Sequence, residues 1–290
     1  MVKQYNCDAC GANDAVEIKC LRTYTNNQKI HVCKNCGFVY VKERRTAIEI
    51  ANKWSEEIFC DKSTKNYYSA RIPALKARQV FVADLIDSQI GLKNKNLCDV
   101  GTGEGQFLKI IRDEYKAKVF GIEPSRTLCE KLGKDDIKNF CGTIEDAENL
   151  SNLRKSFDVV TIMWTLEASS EPNEMLRISG NILKDNGFIV ISTGSRILVP
   201  FKKPLHYYVG DSALDTHPTR YSKNTLSLIL QKNGFKVYFV NRYIDQDWLC
   251  IIAKKTKENN SNIQGDNYEE VIDYFERWDR ETKTYYLKKY

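Results

Sequence analysis

The stretch that most restricts this chain is NLCDVGTGEGQFLKII, residues 96–111. A short apolar strand, Leu97 to Val100, runs into Gly101, Gly103 and Gly105, and a helical pattern follows. Glycines at alternate positions let a backbone turn sharply and approach a ligand closely. The dinucleotide fingerprint, G-x-G-x-x-G, seats a pyrophosphate on a helix N-terminus. Here the order is Asp99-x-Gly101-x-Gly103-x-Gly105, with an acid inside the strand. A carboxylate there suits a ligand with a cationic amino-acid end and no phosphate.

The pattern downstream repeats strand and helix. KVFGIE ends in Glu123, where an acidic side chain can accept hydrogen bonds from both hydroxyls of a ribose. A third strand is expected to end near Phe140 to Ile144, placing Thr143, Ile144 and Glu145 beside an adenine. FDVVTIMW (157–164) and GFIVIST (187–193) supply a fourth and a fifth. GFKVYFV and DWLCIIAKK lie too close together for a helix between them, so they read as a terminal pair whose last strand is antiparallel. The expected class is α/β: a Rossmann-like, mostly parallel seven-stranded sheet covered on both faces.

Four of the ten cysteines form close pairs, Cys7-x2-Cys10 and Cys33-x2-Cys36, each followed by glycine. Two such knuckles make a closed tetrahedral site, structural rather than catalytic, in a segment too small to bury its own core. The first 45 residues are therefore expected to be a Zn2+ ribbon, with Cys20 and His31 outside the ligand set. The other cysteines are scattered, as in NLCDV and WLCII, and read as small buried hydrophobes.

Residues 46–92 read as a helical connector. TAIEIANKWSEEIF carries Ile48, Ala51, Trp54 and Ile58 at helical spacing, and a longer helix is expected from near Pro73 to Gly91. Between them, NYYSAR brings Tyr68 and Arg71 to where they could close over a cofactor. The catalytic domain is expected over 93–256. After it, residues 257–290 read as a polar linker and a helix with Val271, Tyr274, Phe275 and Trp278 on one face. That face should dock on the body or on a second copy, a possible homodimer.

No apolar run reaches the roughly 18 residues that span a bilayer, and the N-terminus has no signal-peptide core, so the expected location is cytoplasmic. A net charge of +6 over 290 residues is too diffuse for a nucleic-acid footprint.

In order and spacing, DVGTGEG, GIEPS, FDVV and LKDNGFIVIST resemble the class I family of methyltransferases that use S-adenosylmethionine (SAM). The resemblance covers about 160 residues. It implies that Asp99, Gly101, Thr102 and Gly103 border the methionine end of SAM. Glu123 and Pro124 would sit at the ribose, with Thr143 and Ile144 at the adenine. The layout also resembles zinc-ribbon methyltransferases of sugar and surface-polysaccharide biosynthesis. CxxCG twice, CKNCGFVYV, the tyrosine-bearing connector and HPTRYSKNTLSLILQKNGF carry that likeness. Two departures stand out. The family's H-x-L-E-H is here Trp164-Thr165-Leu166-Glu167-Ala168, and no large C-terminal domain follows, which favours oxygen over carbon as the methylated atom.

The loop after the fifth strand, Gly194 to Tyr221, is the expected acceptor site: it is long and rich in functional groups. A hydroxyl acceptor benefits from a base. His217 holds the histidine position of the family's late H-x-x-x-[FY]-S phrase, and His206 and Glu167 follow it as candidates. The function expected is methylation of a sugar, nucleotide-linked or a polysaccharide precursor. RNA methylation and a non-catalytic SAM- and zinc-binding module are the alternatives.

Overall fold

The computed structural model describes residues 3–25, 27–46, 48–50, 62–200, 203–209, 217–244, 248–257 and 263–287, with the backbone alone for 62–73. The N-terminal part contributes five short strands: β1 (Lys3–Gln4), β2 (Ala15–Glu17), β3 (His31–Cys33), β4 (Val39–Tyr40) and β5 (Glu43–Arg44). Helix α1 (Lys62–Ile90) leads into β6 (Asn96–Val100), α2 (Gln106–Asp113), β7 (Lys118–Glu123), α3 (Arg126–Lys134), β8 (Lys138–Cys141) and α4 (Ile144–Ala147). Then come β9 (Phe157–Met163), α5 (Pro172–Ile182), β10 (Leu183–Thr193), α6 (Leu205–Val209), β11 (Thr219–Arg220) and α7 (Lys223–Lys232). The chain closes with β12 (Phe235–Val240), β13 (Leu249–Lys255) and α8 (Tyr268–Tyr285).

The main sheet has seven strands in the order β12-β13-β10-β9-β6-β7-β8. The pairings of β6 with β7 and β9, of β7 with β8 and of β9 with β10 are parallel; β13 is antiparallel to both neighbours. Because side chains alternate across a strand, near-continuous apolar runs feed two cores. Cys98, Val160, Ile191 and Ile251 point to one face, covered by α5 and α7. Leu97, Val159, Val190 and Ile252 point to the other, covered by α1 and α2. This is the Rossmann-like α/β architecture expected.

Two boundaries differ from expectation. The connector helix begins at Lys62, not near Pro73, and carries Pro73 in its interior. Proline favours a first turn, but the good helix formers around it, ARIPALKAR, carry the helix through. Strand β8 ends at Cys141, within the expected window, and Thr143 caps α4, its hydroxyl accepting the Asp146 N–H while Asp146 accepts the Thr143 N–H. Strand β10 starts at Leu183, with a register irregularity before Phe188. Of the first connector helix, only Ile48 to Ile50 are described; Ala51, Trp54 and Ile58 lie outside the described residues.

The N-terminal part is built into the body. β11, from the loop after β10, pairs with β4 in a four-stranded sheet, β11-β4-β3-β2. Val271, Phe275 and Trp278 of α8 share a third core with Ile18, Val32 and Val39 of the N-terminal part and Ile197 and Leu205 of that loop. Of the two expected destinations for this apolar face, the body or a second copy, it is the body that covers it. Among the described residues no helix is long and apolar enough to cross a membrane.

Candidate functional site

A cleft of about 230 Å³ opens at the carboxyl ends of β6, β7 and β9, the edge where open α/β sheets bind ligands. One wall is Val100, Gly101, Gly103, Ile122, Glu123, Pro124, Gly142, Thr143, Ile144 and Glu145. Gly101 and Gly103 hold φ of +72° and +57°. A side chain on Gly101 would collide with Thr165 at about 2.4 Å, whereas a Cβ on Gly103 would meet nothing within 4 Å. The turn thus exposes bare backbone to the cleft, which is what a bulky cofactor lying across it requires.

Glu123 is nearly buried, and both its oxygens accept backbone N–H groups: Oε2 from Gly103 at 2.8 Å and Oε1 from Ser125 at 2.9 Å. Burial pushes its carboxyl pKa up, and those two bonds pull it back. Each carboxylate oxygen has two lone pairs, so one per oxygen remains for ribose hydroxyls. Of the residues expected at the cofactor, Gly101, Gly103, Glu123, Pro124, Thr143 and Ile144 line this cleft.

Asp99 and Thr102 do not line it. Asp99 is sealed under the glycine turn, accepting from Thr161 Oγ1 at 2.6 Å, and burial raises its pKa to about 7. The reason is strand alternation: Val100 faces the cleft, so Asp99 faces the interior. Thr102 turns its methyl toward Gly121 and its hydroxyl toward Asp99. Both brace the turn, and neither lines the cleft. Tyr68 and Arg71 lie on α1, but their side chains are outside the described residues.

A second part of the wall, touching the glycine turn through Thr165, went unread in the sequence: Ile50, Met163, Trp164, Thr165, Ala168, Ser169, Ser170 and Met175. Trp164 sits in the left-handed region at φ +56°, with its N–H on the Ser192 carbonyl at 2.7 Å and its ring edge-on to Trp248. A bulky residue there is uncommon and marks a functional turn. Its signal was position, the first residue past the β9 end.

Behind that wall stands a polar layer. Glu167 is buried in the turn 166–168, its Oε1 accepting the Gly194 N–H at 3.1 Å; burial lifts its pKa to about 7. β11 packs on this turn. His217, two residues before β11, is held down to about 4 by burial and then by Arg220. Its imidazole is therefore neutral near pH 7 and a weak base, which removes the near-neutral titration expected of it. His206 lies on α6, its ring against Tyr207 with centroids 4.4 Å apart, in an element that packs on α8 rather than on the cleft.

The four cysteines converge as expected. The Sγ atoms of Cys7, Cys10, Cys33 and Cys36 all lie within 4.8 Å of one another, with Cys7–Cys36 and Cys10–Cys33 at 3.5 Å. Zn–S bonds of about 2.3 Å in a tetrahedron place sulfurs about 3.8 Å apart, so the donor set fits a four-thiolate ion. Cys20 and His31 stand outside the cluster.

The family model described as "Methyltransferase domain" matches residues 74–239. The ubiquinone biosynthesis O-methyltransferase of Coxiella burnetii is 30% identical over 129 residues, 43% of this chain and 53% of that protein. The tRNA U34 carboxymethyltransferase of Desulfotalea psychrophila is 25% identical over 190 residues, 63% of this chain and 56% of that protein. The chain thus spans about half the length of the curated relatives it matches. A solved 1,6-didemethyltoxoflavin-N1-methyltransferase of Burkholderia thailandensis, with its substrate and S-adenosylhomocysteine bound, shares the fold. Its TM-score is 0.54 at 13% identity, over 76% of this chain and 96% of that one.

Proposed function

Because this chain belongs to the methyltransferase domain family, we propose that it transfers a methyl group from SAM to a hydroxyl oxygen of a sugar acceptor, nucleotide-linked or a polysaccharide precursor. The observation that carries the donor half is Glu123, aimed into the cleft at the end of β7 with lone pairs to spare. SAM supplies an electrophilic methyl when bound. The residues that would hold it are Gly101 and Gly103 at the methionine end, Glu123 and Pro124 at the ribose, and Thr143, Ile144 and Glu145 at the adenine. The sugar reading rests on the double CxxCG, CKNCGFVYV and HPTRYS phrases; a structural Zn2+ on Cys7, Cys10, Cys33 and Cys36 belongs to it.

On the acceptor side, His217, His206 and Glu167 are the candidate bases; none of the three lines the cleft, and Glu167 sits between the lining residues Thr165 and Ala168. A base works best when its conjugate acid titrates near the working pH; Glu167 at about 7 meets that, and His217 at about 4 does not. His217 then braces the loop. Enclosure by the Trp164 and Met175 wall would exclude water and hold the hydroxyl in line.

The test is mass spectrometry after incubation with methyl-labelled SAM and, in parallel, a panel of nucleotide-linked sugars and bulk tRNA. Label on a sugar oxygen is expected. Label on tRNA alone would replace the sugar reading with an RNA one; SAM bound but label nowhere would favour a non-catalytic module. Glu167→Gln should lower turnover by about 10²–10⁴ with SAM affinity near wild type. A turnover within a fewfold, with His217→Ala the more damaging change, would return the base to His217.

A further inference from the structure

Three arginines are almost wholly buried, Arg44 at 1%, Arg220 at 3% and Arg196 at 8% exposure. A guanidinium taken out of water carries a penalty of several kcal/mol unless an opposite charge meets it. Arg44 meets one: its Nη2 donates to both Asp8 oxygens at 2.9 Å, and its face lies 4.1 Å from the Tyr5 ring centroid. Arg220 is treated differently. Its Nη1 donates to the His217 carbonyl at 3.3 Å and its face lies over Tyr208 at 5.9 Å, but among the described residues no carboxylate is paired with it. The Tyr208 hydroxyl is buried beside it and has no hydrogen-bond partner among the described residues.

The place of this cation matters. β11, which carries Arg220, packs on the turn 166–168, and Thr165, Ala168 and Ser169 of the same segment line the cleft. A guanidinium with no carboxylate paired to it among the described residues, beside a buried hydroxyl with no partner among them, is a prepared half of an ion pair. Arg196, joined to the neighbouring Tyr221 through a β-bridge, adds a second cation near the Trp248 carbonyl and the Tyr243 ring. Burial lowers both guanidinium pKa values.

We propose that Arg220 and the Tyr208 hydroxyl bind an oxyanion carried by the acceptor, a phosphate or a carboxylate. This rests on the sugar-acceptor reading and sharpens it: the acceptor is a charged sugar, either a nucleoside-diphosphate sugar or a uronic acid. Arginine suits either group because its planar fork matches both geometries.

The experiment uses the full chain saturated with S-adenosylhomocysteine and calorimetric titration with four probes. UDP is paired with neutral uridine, and glucuronate with neutral glucose. One anion should bind at least tenfold more tightly than its neutral counterpart, and which one identifies phosphate or carboxylate. Arg220→Gln should abolish most of that preference, about 10- to 100-fold, with S-adenosylhomocysteine affinity unchanged as the measure of an intact fold. Should that variant not fold, Tyr208→Phe, which keeps the packing and removes only the hydroxyl, should still weaken the anion severalfold. Equal binding of charged and neutral probes by the wild type would overturn the proposal, as would an anion affinity untouched in a folded variant. Neither result bears on methyl transfer itself, which the labelled-SAM assay reads separately.

Discussion

The two walls of the cleft are made in different ways. The donor wall, from Val100 to Glu145, comes from consecutive strand ends and turns of one stretch of chain. The rest of the lining comes from Ile50 and from residues 163–175; the turn 166–168 within it is backed by β11, which joins the four-cysteine part, and the loop after β10 and α8 pack on that part in turn. Long-range bonds tie it together. Val39 pairs with Arg220, the Asp266 N–H donates to the Cys36 carbonyl at 2.9 Å, and the Leu205 N–H donates to Thr282 Oγ1 at 2.9 Å. A wall made locally survives damage elsewhere; a wall made of distant parts depends on every joint.

The largest effect should therefore come from undoing the cysteine knot. Structural zinc in small modules contributes apparent binding energies of about 10–16 kcal/mol, which is folding energy for the segment that holds it. Cys33→Ser with Cys36→Ser, or chelation, should release the four-cysteine part and β11 while S-adenosylhomocysteine binding stays within a fewfold. Hydrogen exchange would show lost protection in Val32, Val39 and Arg220 but retained protection in β6 and β7. Equal loss in both regions would mean that the walls fold as one unit. A purified protein without bound metal on elemental analysis would remove zinc from the account.

The converse change is smaller and confined to the donor wall. Glu123→Ala should weaken SAM binding by about 1.5–3 kcal/mol, roughly ten- to a hundredfold, through two lost ribose hydrogen bonds. Calorimetry giving an unchanged dissociation constant would place the ribose elsewhere.

A last comparison takes one buried acid from each side. Asp99 and Glu167 are both raised to about 7, chiefly by burial. A carboxyl whose folded pKa is raised favours folding while protonated, so its contribution is whole below about pH 4 and is lost as pH climbs through about 7. Each group should give a slope of about 1.4 kcal/mol per pH unit in that window. Asp99→Asn and Glu167→Gln should each flatten the denaturant stability curve by about that much. If only one does, the other acid is solvated in the folded protein.

Legibility followed the same division. Gly101, Gly103, Glu123 and Ile144 were readable because strand ends and the turns after them are adjacent in sequence as well as in space. Asp99 matched the motif by type, but strand alternation turns its side chain inward, off the cleft lining. Trp164 offered only its position just past the β9 end, and Met175 gave no local signal, since nothing in its neighbours says that α5 flanks a cleft. His217 was legible as a position, but its proton affinity was not, because burial and Arg220 lower it.

The amino-acid order alone determined the alternation of strand and helix, the glycine turn, the acidic end of β7 and the pairing of the four cysteines. These depend on spacing within a few residues, where backbone geometry leaves few choices. Only the tertiary structure decided that β11 joins the four-cysteine part to the turn 166–168, that α8 closes over it, and that Arg220 is buried with no carboxylate paired to it among the described residues. Burial and charge compensation are sums over residues far apart in the chain, and no local pattern encodes that sum.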